Sequence, residues 1–177
     1  YLFDSEKLIL VGHSMGGYGV ALYGSKYPGK VDGIVSSGAL VANINGMGSD
    51  IPAGTPADAK FPNALGNVIS HDQSIVDAYA ADPLVEKEIC AGLFYALADG
   101  TAWLKDNLVN FTDPVLIMHG GDDKIVNPQE AQFFYDHISS KDKEIKVFDG
   151  LYHEIFNEPE KDDVIGYAIA WLYDHFM

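Results

Sequence analysis

Apolar residues cluster along the chain in short runs separated by longer stretches of helical spacing. Runs at Lys7–Gly12 and Val31–Ser36 are nearly continuous and predict buried strands. Pro114 introduces a third strand at Val115–Met118. Lys143–Phe148 reads as a fourth, with Ile145 and Val147 alternating. Residues 1–6 form a short approach. A helix that follows Ser14 must stop by Tyr27, because Pro28-Gly29 cannot continue it. Asn127-Pro128-Gln129-Glu130 has the marks of a helix start: a cap residue, proline at the first position and an acid at the third. Ala131, Phe134, Tyr135 and Ile138 then share one apolar face. A closing helix from about Glu160 places Ile165, Ile169, Leu172 and Phe176 on a single stripe.

Residues 41 to about 110 interrupt this alternation. Glycines, prolines and polar turns over Asn43–Pro62 give way to shorter helical patches, of which Leu84–Leu97 is the longest. Ile89, Leu93 and Leu97 recur there at fourfold spacing, and Cys90 within it reads as a small buried hydrophobe. The expected organisation is therefore a core of residues 1–40 and 111–177 with an insertion at 41–110. Four apolar strands alternating with helices imply an α/β fold with a mostly parallel, doubly wound sheet and right-handed crossovers. Chemistry in such sheets gathers at the carboxyl ends of the strands.

Composition narrows the function. The 177 residues are 47% hydrophobic, enough for one domain with a sizeable core, and no run approaches the roughly 18 apolar residues of a membrane span. Every basic residue is a lysine. A net charge of -15 argues against nucleic acid and against electrostatic attachment to anionic lipid. The single cysteine excludes an intrachain disulfide and leaves no cysteine cluster for zinc. Export stays open, because the first residue here need not be the first residue of the gene.

The chemistry lies where the first strand ends. Gly12-His13-Ser14-Met15-Gly16 is G-x-S-x-G between an apolar strand and a helix, which sets a serine on a sharp turn with its hydroxyl held clear. A Cβ two residues before or after Ser14 is expected to collide. Gly16, Gly17 and Gly19 each cost a helix about 1 kcal/mol relative to Ala, so something is expected to approach that backbone closely. Serine needs a neighbouring base, and His153, in the loop after the last strand, is placed to be one. An acid must orient that histidine, and the adjacent Asp122 and Asp123 are both candidates on residues alone. His13, His119, His71, His137 and His175 have packing or surface readings. Nucleophile, acid and base occur in the order Ser, Asp, His.

These stretches carry a resemblance. Gly12-His13-Ser14-Met15-Gly16-Gly17, Val115–Asp123 and Tyr152-His153-Glu154-Ile155-Phe156-Asn157-Glu158 are together similar to the α/β-hydrolase superfamily, and within it to the monoacylglycerol lipase and lysophospholipase group. Val31–Asn43 and, more loosely, Asp82–Leu93 extend the likeness over most of the chain. The group's G-x-x-D pattern matches Gly120-Gly121-Asp122-Asp123 and assigns the acid to Asp123. The resemblance implies that 41–110 is a cap or lid with an apolar mouth for an acyl chain, that Leu40, Leu93 and Val126 contact substrate, and that the Met15 N–H donates to an oxyanion. It implies a lipid ester substrate, no metal or organic cofactor, a cytoplasmic protein and a transient membrane contact through the cap. Members of the group also carry further strands and a His-Gly motif before the nucleophile strand, whereas only 13 residues precede Ser14. A second oxyanion donor, and a partner for the Lys7–Val11 edge, are accordingly expected from a missing N-terminal half of the same protein. The reading is a serine hydrolase of carboxylic esters, with monoacylglycerol or lysophospholipid as substrate. A small-acyl esterase or an aminopeptidase of the same fold stays open, as does a non-catalytic fragment or binding module.

Overall fold

The sheet is built on strand β2 (Gly33–Ser37), buried along its whole length between two parallel neighbours. A computed structural model describes residues 7–177, and the approach expected over residues 1–6 lies outside them. Among the described residues the main sheet has four parallel strands in the order β1 (Ile9–His13), β2, β5 (Val115–Gly120) and β6 (Lys143–Phe148). Strand order rises steadily, so right-handed crossovers put α1 (Met15–Lys26) and α4 (Gln129–His137) on one face. The last helix, α5 (Lys161–Phe176), covers the other. Alternation along β2 and β5 feeds both cores. Ile34, Val115 and Ile117 pack with Val20, Ala21, Phe111 and Phe134, while Val35, Leu116 and Met118 pack with Val164, Ala168 and Trp171.

Between β2 and β5 the chain leaves the sheet. It forms β3 (Lys60–Pro62), α2 (Gln73–Ala81), β4 (Glu88–Cys90) and α3 (Ala91–Asn107). The helix expected over Leu84–Leu97 is displaced. Ile89 pairs with Phe61 in an antiparallel β3–β4 ribbon, and that pairing holds Glu88–Cys90 extended until α3 begins at Ala91. Cys90, opposite Lys60 on this small ribbon, is exposed and is not the buried hydrophobe that helical spacing suggested. No helix among the described residues is long and apolar enough to cross a membrane.

Two further expectations change. β1 is not buried: it borders the described sheet, and Val11 is 64% exposed. Leu10 packs towards α1, so the next side chain points to the opposite face, where α5 lies over β2 and β5 instead. On α5 the buried stripe is Val164, Ala168 and Trp171, while Ile169 on the expected stripe is 47% exposed. The wide indole of Trp171 fills the space above Val35 and Leu116 and fixes which side of the helix faces in.

Glu130 ties the helical layer to the start of the insertion. The helix start at Asn127 is as read, with the Asn127 side chain accepting from the Gln129 N–H. The acid at the third position, however, turns away from its own helix. Its carboxylate is wholly buried and accepts from the backbone N–H groups of Val41, Ala42 and Ile44 at 2.9, 2.6 and 2.6 Å. Glu130→Ala strands two buried donors and a part-buried third and is expected to lower unfolding stability by on the order of 3 kcal/mol. Denaturant titration checks this, and a loss below roughly 1 kcal/mol would show that water replaces the carboxylate.

Candidate active site

Ser14 stands at the junction of β1 and α1 with φ 55° and ψ -117°, a left-handed backbone that serine rarely adopts. The turn is pinned to β2 by the Ser14 N–H donating to the Ser37 carbonyl at 2.8 Å. A Cβ on Gly12 would meet the Gly16 carbonyl oxygen at 2.2 Å, and one on Gly17 would meet the Ser37 oxygen at 2.8 Å. Gly16 and Gly19 face open space, so the close approach is to Gly12 and Gly17 and not to the whole glycine cluster. What crowds that backbone is the end of β2 and the helix's own first turn.

From this elbow a chain of hydrogen bonds crosses three strand ends. The Ser14 hydroxyl donates to His153 Nε2 at 2.8 Å, and His153 Nδ1 donates to Asp123 Oδ2 at 2.7 Å. Asp123 follows β5 and His153 follows β6, so parallel strands deliver all three groups to one edge. Asp123 Oδ1 accepts from the Ile125 and Val126 N–H groups at 2.8 and 2.9 Å. Burial alone would push this carboxyl up, yet hydrogen bonds from His119 and His153 hold it well below the usual carboxylate range. Its neighbour Asp122 is exposed and faces Lys124 Nζ at 3.9 Å, in place of the local backbone bond a turn aspartate usually makes.

A cavity of about 290 Å³ opens over Ser14 and Met15. Leu40, Leu93 and Val126, the three residues expected to touch substrate, all line it. Ile89, Leu93 and Leu97 line it too, although Ile89 sits on β4 and the others on α3. Met15 opens α1, so its N–H has no acceptor within the helix and sits at the positive end of the helix dipole. A larger groove of about 430 Å³ between α1 and α3, lined by Tyr23, Tyr27 and Trp103, is remote from this chemistry. No group of three or more metal-ligating side chains occurs among the described residues.

A nucleophile elbow, a hydroxyl–imidazole–carboxylate chain and strand-end placement together define a family, and sequence comparison decides which. The Hydrolase_4 family, described as serine aminopeptidase, S33, matches residues 3–160. The chain belongs to this family. It has the α/β-hydrolase fold. A monoacylglycerol lipase of Mycolicibacterium smegmatis is 33% identical over 174 residues, covering 94% of this chain and 62% of the relative. Human monoglyceride lipase is 29% identical, with 96% of this chain and 59% of the relative covered. The crystal structure of Paleococcus ferrophilus monoacylglycerol lipase superposes with a TM-score of 0.84 at 29% identity, covering 96% of this chain and 69% of that one. The chain thus spans about 60% of the length of these two lipases.

Several residues that the sequence passed over are part of this Hydrolase_4 site. His119 Nε2 lies 3.0 Å from Asp123 Oδ2, an i,i+4 contact at the end of β5. His13 packs its ring 4.8 Å from His153 and bonds Ser37 Oγ at 3.1 Å. Glu158, fully buried, accepts from the Tyr152 N–H at 2.6 Å and from the His71 N–H at 2.9 Å, joining the His153 loop to the insertion. The His119–Asp123 spacing was visible in the sequence, whereas Glu158 and His71 are 87 residues apart.

His13 generates a test. Burial, and next the charge of a protonated His153, hold its imidazole down at about 4 against an ordinary 6.5. The folded state therefore binds fewer protons than the unfolded one below 6.5, and stability falls as pH falls from 6.5 towards 4. Replacing His13 by Gln removes that titration. Wild type is expected to lose on the order of 2 kcal/mol more than His13→Gln between pH 7 and 4.5. Parallel losses in denaturant unfolding would place the low-pH sensitivity elsewhere.

Proposed function

We propose that the protein is a serine hydrolase of carboxylic esters that acts on monoacylglycerols or lysophospholipids through an acyl-enzyme on Ser14. The observation that carries this reading is the Ser14–His153–Asp123 chain, whose Ser14 end lies in an apolar cavity. In the proposed reaction Ser14 Oγ attacks the ester carbonyl as His153 Nε2 takes its proton. Asp123 keeps the His153 proton on Nδ1 and stabilises the imidazolium. The Met15 N–H and the α1 terminus meet the developing oxyanion. His153 then passes the proton to the departing alcohol, and water repeats the sequence in reverse to release the acid.

The cavity lining supports a lipid acyl group. Among the described residues it contains Leu40, Met47, Leu65, Ile89, Phe94 and Leu97 and no carboxylate. A peptidase of this family would need an acid there to hold the substrate amine, so the aminopeptidase reading is the weaker one. The names of the relatives favour monoacylglycerol as the ester. In this proposal the segment 41–110 serves as a cap.

Ser14→Ala should leave the fold intact and reduce monoacylglycerol hydrolysis below about one part in 10³, with fluorophosphonate labelling abolished. Asp123→Asn should lower turnover by on the order of 10⁴, because the amide favours the wrong tautomer of His153, while Asp122→Asn stays near wild type. Equal losses at both aspartates would contradict the assignment. The acyl reading has its own check in Leu93→Asp, expected to abolish hydrolysis of long-chain monoacylglycerols while sparing acetyl and butyryl esters. Equal loss on both would make Leu93 a packing residue and move the acyl site away from α3.

A further inference from the structure

The carboxylate that orients His153 is held by a second imidazole. Three hydrogen bonds converge on Asp123, from two backbone N–H groups to Oδ1 and from His153 Nδ1 to Oδ2 at 2.7 Å, and His119 Nε2 stands beside the same Oδ2 at 3.0 Å. His119 Nε2 also lies 3.1 Å from the Val126 carbonyl. Both of its neighbours are acceptors, so the ring carries a proton on Nε2; that N–H is aligned on the Val126 carbonyl, with Asp123 Oδ2 beside it. Its Nδ1 is buried without a hydrogen-bond partner, so the polar capacity of the ring is spent through Nε2 alone. A ring kept at the end of β5 merely to fill space would be better served by an apolar side chain, since an orphaned buried nitrogen costs on the order of 1–3 kcal/mol. The titratable groups acting on one another here are Asp123, His119, His153 and His13, with Glu130 turned away onto the 41–44 backbone.

We propose that His119 is a positioning residue of the triad that shares Asp123 Oδ2 with His153 and so sets how strongly Asp123 holds the His153 imidazolium. Two imidazole N–H groups beside one oxygen share its charge. With His119 in place, Oδ2 is a weaker acceptor for His153, and the base stays neutral to lower pH than a full carboxylate would allow. The same Nε2 proton ties Val126, a wall of the cavity, to the acid, so acyl site and triad are fixed by one ring. This inference rests on the triad reading above.

The test compares His119→Leu, which fills the volume without a donor, with His119→Gln, whose amide nitrogen falls near the place of Nε2. The measured quantity is the rate of Ser14 labelling by a fluorophosphonate from pH 4.5 to 8.5, with circular dichroism and thermal melting as a check on folding. The acid limb of the leucine variant should move to higher pH by about half a unit or more, and that of the glutamine variant should stay within a few tenths of wild type. A purely structural role would lower the rate or the melting temperature and leave the limb in place. Coincident limbs for wild type and His119→Leu, or a glutamine variant shifted as far as the leucine one, would overturn the proposal. If His119→Leu fails to fold, His119→Asn takes its place, because its shorter amide falls away from Oδ2 and should shift the limb where Gln does not. A wild-type chain unlabelled at every pH would overturn the triad reading and this inference with it, whereas a labelled wild type with coincident limbs overturns this inference alone.

Discussion

A carboxylate moved out of water must find donors inside the protein, and three of them hold this site together. Asp123, Glu130 and Glu158 are all buried, and each loses a hydration shell worth many times the net stability of a domain. The chain has no arginine and few lysines against 26 acids, so guanidinium partners are not to hand. The donors are backbone N–H groups and imidazoles instead. Glu130 gathers the backbone of 41–44, Glu158 gathers Tyr152 and His71, and Asp123 gathers its own turn and two histidines. Every bond joins segments that sequence alone leaves far apart or merely adjacent. Removing one acid would release a loop as well as a charge.

These anchors surround a strained element that could not hold itself. The left-handed backbone at Ser14 is a costly conformation, kept in place by the Ser37 carbonyl on one side and by contact between Gly12 and the first turn of α1 on the other. With the elbow fixed, His153 needs only a loop of the right length after β6. That loop is clamped on one side by Glu158 and packed on the other by the neutral ring of His13. Low polarity around the imidazole strengthens the pull of Asp123 on it, which fits the proposed role of a base that carries charge only in passing.

The strand–helix alternation and the candidate Ser14 elbow were legible because both are local. A buried strand announces itself by a run of apolar residues, and G-x-S-x-G records a turn whose sterics involve neighbours in the chain. The helix start at Asn127 and the stop at Tyr27 were read from capping chemistry for the same reason. Errors gathered where a partner distant in sequence made the decision. Cys90 and Ile89 have helical spacing, but pairing with Phe61 makes them a strand. The stripe on α5 was read one position off, because Ile165 is as apolar as Val164 and only the fit of Trp171 against the sheet tells them apart.

The strand–helix alternation, the candidate nucleophile and base, and the family itself were legible in the sequence, since each is written in short contiguous patterns whose physics is short-ranged. Tertiary structure decided the rest. It put Leu40, Leu93 and Val126 around one cavity from three parts of the chain, and it turned Glu130 from a helix acid into an anchor for another loop. It also brought His119 and His153 to one oxygen of Asp123. A hydrogen bond depends on distances of tenths of an ångström between groups that may lie 30 or 90 residues apart, and no local pattern in a sequence encodes such a distance.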